Sequence, residues 1–193
     1  MRATDVTLLG YALLGLVAQK ASSGYDLRKI FALTPLQSFS DSPGAIYPAL
    51  KRLEKCGLIR GKIEHGSGMR RRQVFHLTVA GGAALRSWLR KPPTRTEVIR
   101  AANELILRFS FMDAILGPED SQRFLAAFER ELTSYIPALR EYLAAREKEL
   151  PLSARLALEN GIRAHESLLH WTQDAQAAYV HRPKRVTPPF DRD

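Results

Sequence analysis

Apolar positions in the first 60 residues form three short stripes, separated by small and polar residues. From Val6 to Ala18 the chain is almost entirely apolar, which predicts a buried first helix. Ser22, Ser23 and Gly24 interrupt it. Ser23 followed by Asp26 has the spacing of a capping box, so a second helix starts there with Leu27, Ile30 and Phe31 inward. Tyr25 is expected to be wedged between helices, and Arg28 to meet solvent or a phosphate backbone. A loop with Pro35, Ser38, Ser40 and Asp41 leads to Ser42–Leu58, SPGAIYPALKRLEKCGL. Ser42 is the expected N-cap, and Pro43 stands at the first helical position, where an N–H would be unpaired anyway. Ile46, Leu50 and Leu53 mark the inner face of this third helix, which leaves Gly44, Tyr47, Pro48, Lys51 and Lys55 on the outer side. Gly57 closes it.

The period then changes from helical to alternating. Ile59, Gly61 and Ile63 alternate with Arg60, Lys62 and Glu64, and Gln73, Phe75 and Leu77 alternate with Arg72, Val74 and His76. With Gly66 and Gly68 between the two runs, this predicts a two-stranded hairpin. Thr78 caps a fourth helix through Leu85, Trp88 and Leu89, and the Pro-rich stretch from Lys91 to Thr96 reads as a boundary. Beyond it the pattern is helical throughout. Val98, Ala101, Leu105, Phe109, Met112 and Leu116 form one stripe. Pro118, followed by Glu119 and Asp120, opens another helix whose stripe runs through Leu125, Phe128, Leu132, Tyr135, Leu139 and Tyr142, with a kink expected at Pro137. After Pro151 a last helix aligns Ala154, Ala157, Gly161, Ala164, Leu168, Trp171, Ala175 and Ala178. The fold class is therefore mainly α with a small two-stranded β-wing. A winged helix-turn-helix over residues 1–92 precedes an all-helical domain over 97–180, and residues 181–193 form a tail expected to be disordered.

Charge sharpens the division. Residues 1–90 hold 14 Lys and Arg against 5 Asp and Glu, whereas residues 91–193 hold 15 of each, so the net charge of +9 lies wholly in the first half. One half suits a polyanion and the other does not. The lone Cys56 permits no internal disulfide, fits a reducing cytosol, and reads as filler rather than a redox switch. The Val6–Ala18 run is too short to span a bilayer, and Asp5 offsets Arg2, so neither a membrane anchor nor a signal peptide is expected. His165 and His170 fall on different helix faces, and no metal or cofactor motif occurs. Gly66-Ser67-Gly68 is no nucleophile elbow, which leaves no catalytic constellation and argues against an enzyme.

Three helices followed by a hairpin is the order of a winged helix, whose third helix enters a major groove of duplex DNA while the wing lies along the backbone. Arg70, Arg71 and Arg72 flank the glycine turn, with Lys62 and His65 on its other side. Such a concentration of cations suits phosphates. From Leu8 to Leu89 the chain resembles the DNA-binding domain of PadR-type transcriptional regulators. The resemblance is carried by Ser23-Gly24-Tyr25-Asp26-Leu27, Ser42-Pro43-Gly44-Ala45-Ile46-Tyr47-Pro48-Ala49-Leu50, Arg52-Leu53-Glu54, Gly57-Leu58-Ile59, Leu77-Thr78 and Gly81. Phe75 departs from the tyrosine frequent at that position, so a hydroxyl is lost there while the ring remains.

The resemblance implies a homodimeric, usually repressing regulator that binds an inverted repeat and releases it on a small-molecule signal. Expected DNA contacts are Ser42, Gly44, Tyr47, Pro48, Lys51, Lys62, Arg70, Arg71 and Arg72; Lys55 is assigned to solvent. Expected dimer-seam residues are Leu9, Leu13, Ala157, Gly161, Ala164, Leu168, Trp171 and Ala175. Phe109, Phe111 and Tyr142 are candidates for an effector pocket. The competing reading is a winged helix that serves as a protein-interaction module in a larger assembly. The basic wing argues against it, because a protein adaptor does not need one.

Overall fold

The computed structural model describes residues 6–38, 42–65 and 71–181. Arg70, the glycine turn and the tail from residue 182 lie outside the described residues. The chain divides into two compact units, Met1–Lys91 and Pro92–Asp193.

In the first unit α1 (Leu8–Gln19) is followed by a two-residue strand β1 (Ser22–Ser23), α2 (Gly24–Leu33), a 3₁₀ turn (Pro35–Ser38) and α3 (Pro43–Lys55). Then come β2 (Ile59–His65), β3 (Arg71–Leu77) and α4 (Val79–Leu89). The capping box forms as its spacing requires, with Ser23 Oγ accepting from the Asp26 N–H and the Asp26 carboxylate accepting from the Ser23 N–H. Leu13, Leu14, Leu27, Phe31, Ile46, Leu50 and Leu85 fill a single core. The Tyr11 ring stacks on Trp88 at 4.5 Å and thereby ties α1 to α4.

The sheet differs from the expected two-stranded wing. It has three antiparallel strands in the order β1-β3-β2, with Ser22 opposite Phe75 and Ser23 opposite Val74. Neighbouring residues of a strand point to opposite faces, yet Val74 and Phe75 are both buried, so β3 is covered on both sides at this point. Simple alternation along β3 fails for that reason.

The second unit contains α5 (Arg95–Arg100), α6 (Ala102–Ile115), α7 (Pro118–Arg146) and α8 (Leu152–Val180). The stripe from Val98 to Leu116, expected as one helix, breaks at Ala101, whose backbone leaves the helical region at φ −141° and ψ 33°. Val98 and Leu105 are both fully buried on either side of the break. A half-buried ion pair spans it, from the enclosed Arg108 Nη2 on α6 to Glu97 Oε1 on α5 at 2.5 Å. α7 runs through Pro137 as one element, with the proline exposed. α7 and α8 pack together through Arg140 with Glu166, Tyr135 with His165, and Gln173 and Gln176, which both donate to Glu129.

Candidate nucleic-acid interface

The outer face of α3 begins with its cap. Ser42 Oγ accepts from the Gly44 N–H at 3.2 Å, and the positive end of the helix opens beside it. Ile46, Leu50 and Leu53 are buried beneath, while Gly44, Pro48 and Lys51 are exposed and Tyr47 keeps 42% of its surface open. The ring of Tyr47 is braced from behind by Gly24, where a Cβ would stand only 2.6 Å from its Cε1. Its inner edge therefore packs on α2 while the rest faces outward. Lys51, Arg52, Lys55 and Cys56 together line an open depression at the far end of the helix, so the cationic surface continues to Lys55.

The wing adds Lys62, Arg71 and Arg72, all exposed. Arg72 Nη1 lies 3.8 Å from Asp26 Oδ2, which links β3 to the start of α2. Hydrogen bonding from the Ser23 hydroxyl is the main cause that holds the Asp26 carboxyl below its usual range; burial opposes it, and the nearby Arg72 contributes further. Asp26 thus remains an anion that both caps α2 and orients Arg72. Tyr25 does not wedge between helices. It is 61% exposed, with the Arg28 guanidinium 5.7 Å from its ring centroid, because the first turn of α2 turns this position outward while Leu27 and Phe31 take the core. Sequence pattern alone assigned the aromatic ring to packing and so missed this exposed pair.

Other expected site residues are scattered. Leu13 is fully enclosed in the core of its own unit and presents no surface to a second chain. Leu9 is half-buried. On α8, Ala157 and Ala164 are exposed while Gly161, Leu168, Trp171 and Ala175 are half-buried. The proposed effector residues do not converge: Phe111 is buried in the core, Tyr142 lies in the open under Arg146, and Phe109 instead meets Phe124, Trp171 and Tyr179. Phe109 and Phe111 are two positions apart on α6 and so face different ways. Among the described residues no group of His, Cys, Asp and Glu could hold a metal, and no helix is long and apolar enough to cross a membrane.

A capped helix with an exposed mixed face, supported by a helical core and flanked by a basic β-hairpin, defines the winged helix-turn-helix class of nucleic-acid-binding units. Residues 13–87, within the winged-helix unit, match the transcriptional regulator PadR-like family, a family of regulators rather than enzymes. The negative transcriptional regulator PadR of Bacillus subtilis (strain 168) is 24% identical over 186 residues, which cover 96% of this chain and 99% of its own. Among solved structures, B. subtilis PadR in complex with operator DNA aligns with a TM-score of 0.41 and 21% identity over 90% of this chain and 99% of that one. The same regulator in complex with p-coumaric acid aligns with a TM-score of 0.42 and 20% identity over 91% and 100%.

Proposed function

We propose that the protein is a homodimeric, sequence-specific transcriptional regulator, in which residues 1–92 read an inverted-repeat operator and residues 97–180 join two copies. The observation that carries this reading is the outer face of α3, where Gly44, Tyr47, Pro48 and Lys51 stand exposed on a helix anchored by Ile46, Leu50 and Leu53. Glycine and proline keep that face low, so a major groove can approach its backbone while Tyr47 and Lys51 reach base edges and phosphates. Arg71, Arg72 and Lys62 on the wing supply phosphate contacts without sequence preference, and Arg70 continues that run in the sequence.

Dimerisation is supported by the surface of α8. Only Ile162 and Thr172 of its 29 residues are fully buried, while Leu152 and Leu156 are open to solvent. A long helix with this much apolar surface suits a second copy of itself, with Ala157 and Ala164 permitting close approach. Repression is the sign that the B. subtilis relative's designation as a negative regulator favours. Release by a small molecule and action in the cytosol complete the reading, as the family resemblance implies.

The test is DNA binding by folded variants. Tyr47→Ala and Lys51→Ala should each weaken binding to a duplex selected by the wild-type protein by on the order of tenfold or more, with thermal stability near wild type. Normal binding by both variants would remove α3 as the reading helix.

A further inference from the structure

Glu54 lies on the flank of α3, half-buried, between the core row and the exposed row. Its Oε1 accepts from the backbone N–H of Gly61 on β2 at 2.8 Å and lies 3.5 Å from Nε2 of Gln73 on β3. One carboxylate oxygen thereby joins the third helix to both strands of the wing. The join is tight: a Cβ on Gly61 would stand 2.2 Å from Gln73 Nε2 and 2.7 Å from Glu54 Oε1. β2 is an outer strand of the sheet, and Glu54 takes up an N–H of that edge.

The charge of Glu54 is out of place for a helix that meets phosphates. It is the only acid in α3, among Lys51, Arg52 and Lys55, and an anion there opposes DNA unless it is retained for another purpose. The geometry supplies that purpose. We propose that Glu54 is a positioning residue, which fixes the wing relative to α3 so that Arg71 and Arg72 reach phosphates while Tyr47 and Lys51 occupy the groove. The inference rests on the DNA-binding reading above and adds the part that sets the spacing between its two contact surfaces. A carboxylate suits this task because it offers a charge-assisted acceptor to two donors at once.

The experiment compares the full-length wild type, Glu54→Ala, Glu54→Gln and Gly61→Ala for binding to a duplex enriched by the wild-type protein from a random pool, over a range of salt concentrations. Glu54→Ala should bind about tenfold more weakly, and its log–log salt slope should be shallower by about one to two units as wing phosphates are lost. Glu54→Gln, which keeps an acceptor for Gly61, should bind within about threefold of wild type. Gly61→Ala, which displaces the Glu54 and Gln73 side chains without removing either, should follow Glu54→Ala and decides the matter if that variant does not fold. Wild-type affinity and slope in Glu54→Ala or Gly61→Ala, or weaker binding with an unchanged slope, would overturn the proposal. Failure of the wild type itself to bind any duplex would overturn the DNA-binding reading, and this inference with it.

Discussion

At the scale of single residues, the contacts that matter most are those in which a small side chain lets two elements meet. Gly81 belongs to the stretch shared with PadR-type regulators, and the structure gives its reason. A Cβ there would stand 1.9 Å from the carbonyl oxygen of Leu58, because the first turn of α4 lies against the backbone entering β2. Thr78 fastens the same junction, accepting from the Gly81 N–H at 3.0 Å and donating toward the carbonyls of Gly57 and Leu58. Gly81→Ala should therefore destabilise the protein by about 2–3 kcal/mol through forced backbone movement, read as a lowered thermal midpoint in circular dichroism. Tyr47 shows why a residue can be correctly placed and only partly understood from sequence. Its outward position follows from helical spacing, but the brace that Gly24 provides depends on how α2 crosses α3. The exposure of Tyr25 was illegible for the same reason, since an aromatic ring beside a capping box looks the same in sequence whether it packs or protrudes.

At the scale of elements, local chemistry was legible where a single residue type carries the signal. Ser23, Ser42 and Thr78 cap the helices that their positions announce, and Pro118 opens α7. What stayed hidden was decided by tertiary contacts. β1 is two residues long and exists only by pairing with β3. The break at Ala101 has no glycine or proline to mark it; it allows Glu97 on α5 to meet Arg108 on α6. That pair should matter to stability. Arg108 is 3% exposed, so Glu97→Ala would remove a charged hydrogen-bond partner from a buried cation and should cost about 2 kcal/mol, discounted for the partial exposure of Glu97. Burial would raise the Glu97 carboxyl, but hydrogen bonds from Thr94 and Arg108 outweigh it and hold it below its ordinary 4.5. The stabilisation is therefore present above that value and is lost as the pH falls through the lower, folded-state value. Thermal midpoints recorded as the pH is lowered should decline less steeply in Glu97→Ala than in the wild type, and equal declines would contradict this account.

At the scale of the whole molecule, the uneven charge is the property most directly readable from the chain and most directly tied to function. The excess of nine positive charges lies in the half that forms the winged helix, and the second half is neutral. Association with a polyanion should therefore be strongly weakened by salt, with the first unit carrying that dependence. The proposed dimer seam was less legible, because a stripe of small residues on α8 does not distinguish packing against α7 from packing against a second chain. The structure leaves both Ala157 and Ala164 exposed while Leu13 is enclosed in its own core, which moves the proposed seam toward α8. Sequence-specific recognition of DNA by a pair of such chains is the property on which the proposed function rests. It is tested most directly by selecting bound sites from a random duplex pool with the purified protein at two salt concentrations. Enrichment of an inverted repeat with half-sites about 10 bp apart, weakened at the higher salt, is the expected result. A well-folded protein that enriches no sequence at either salt concentration would contradict it.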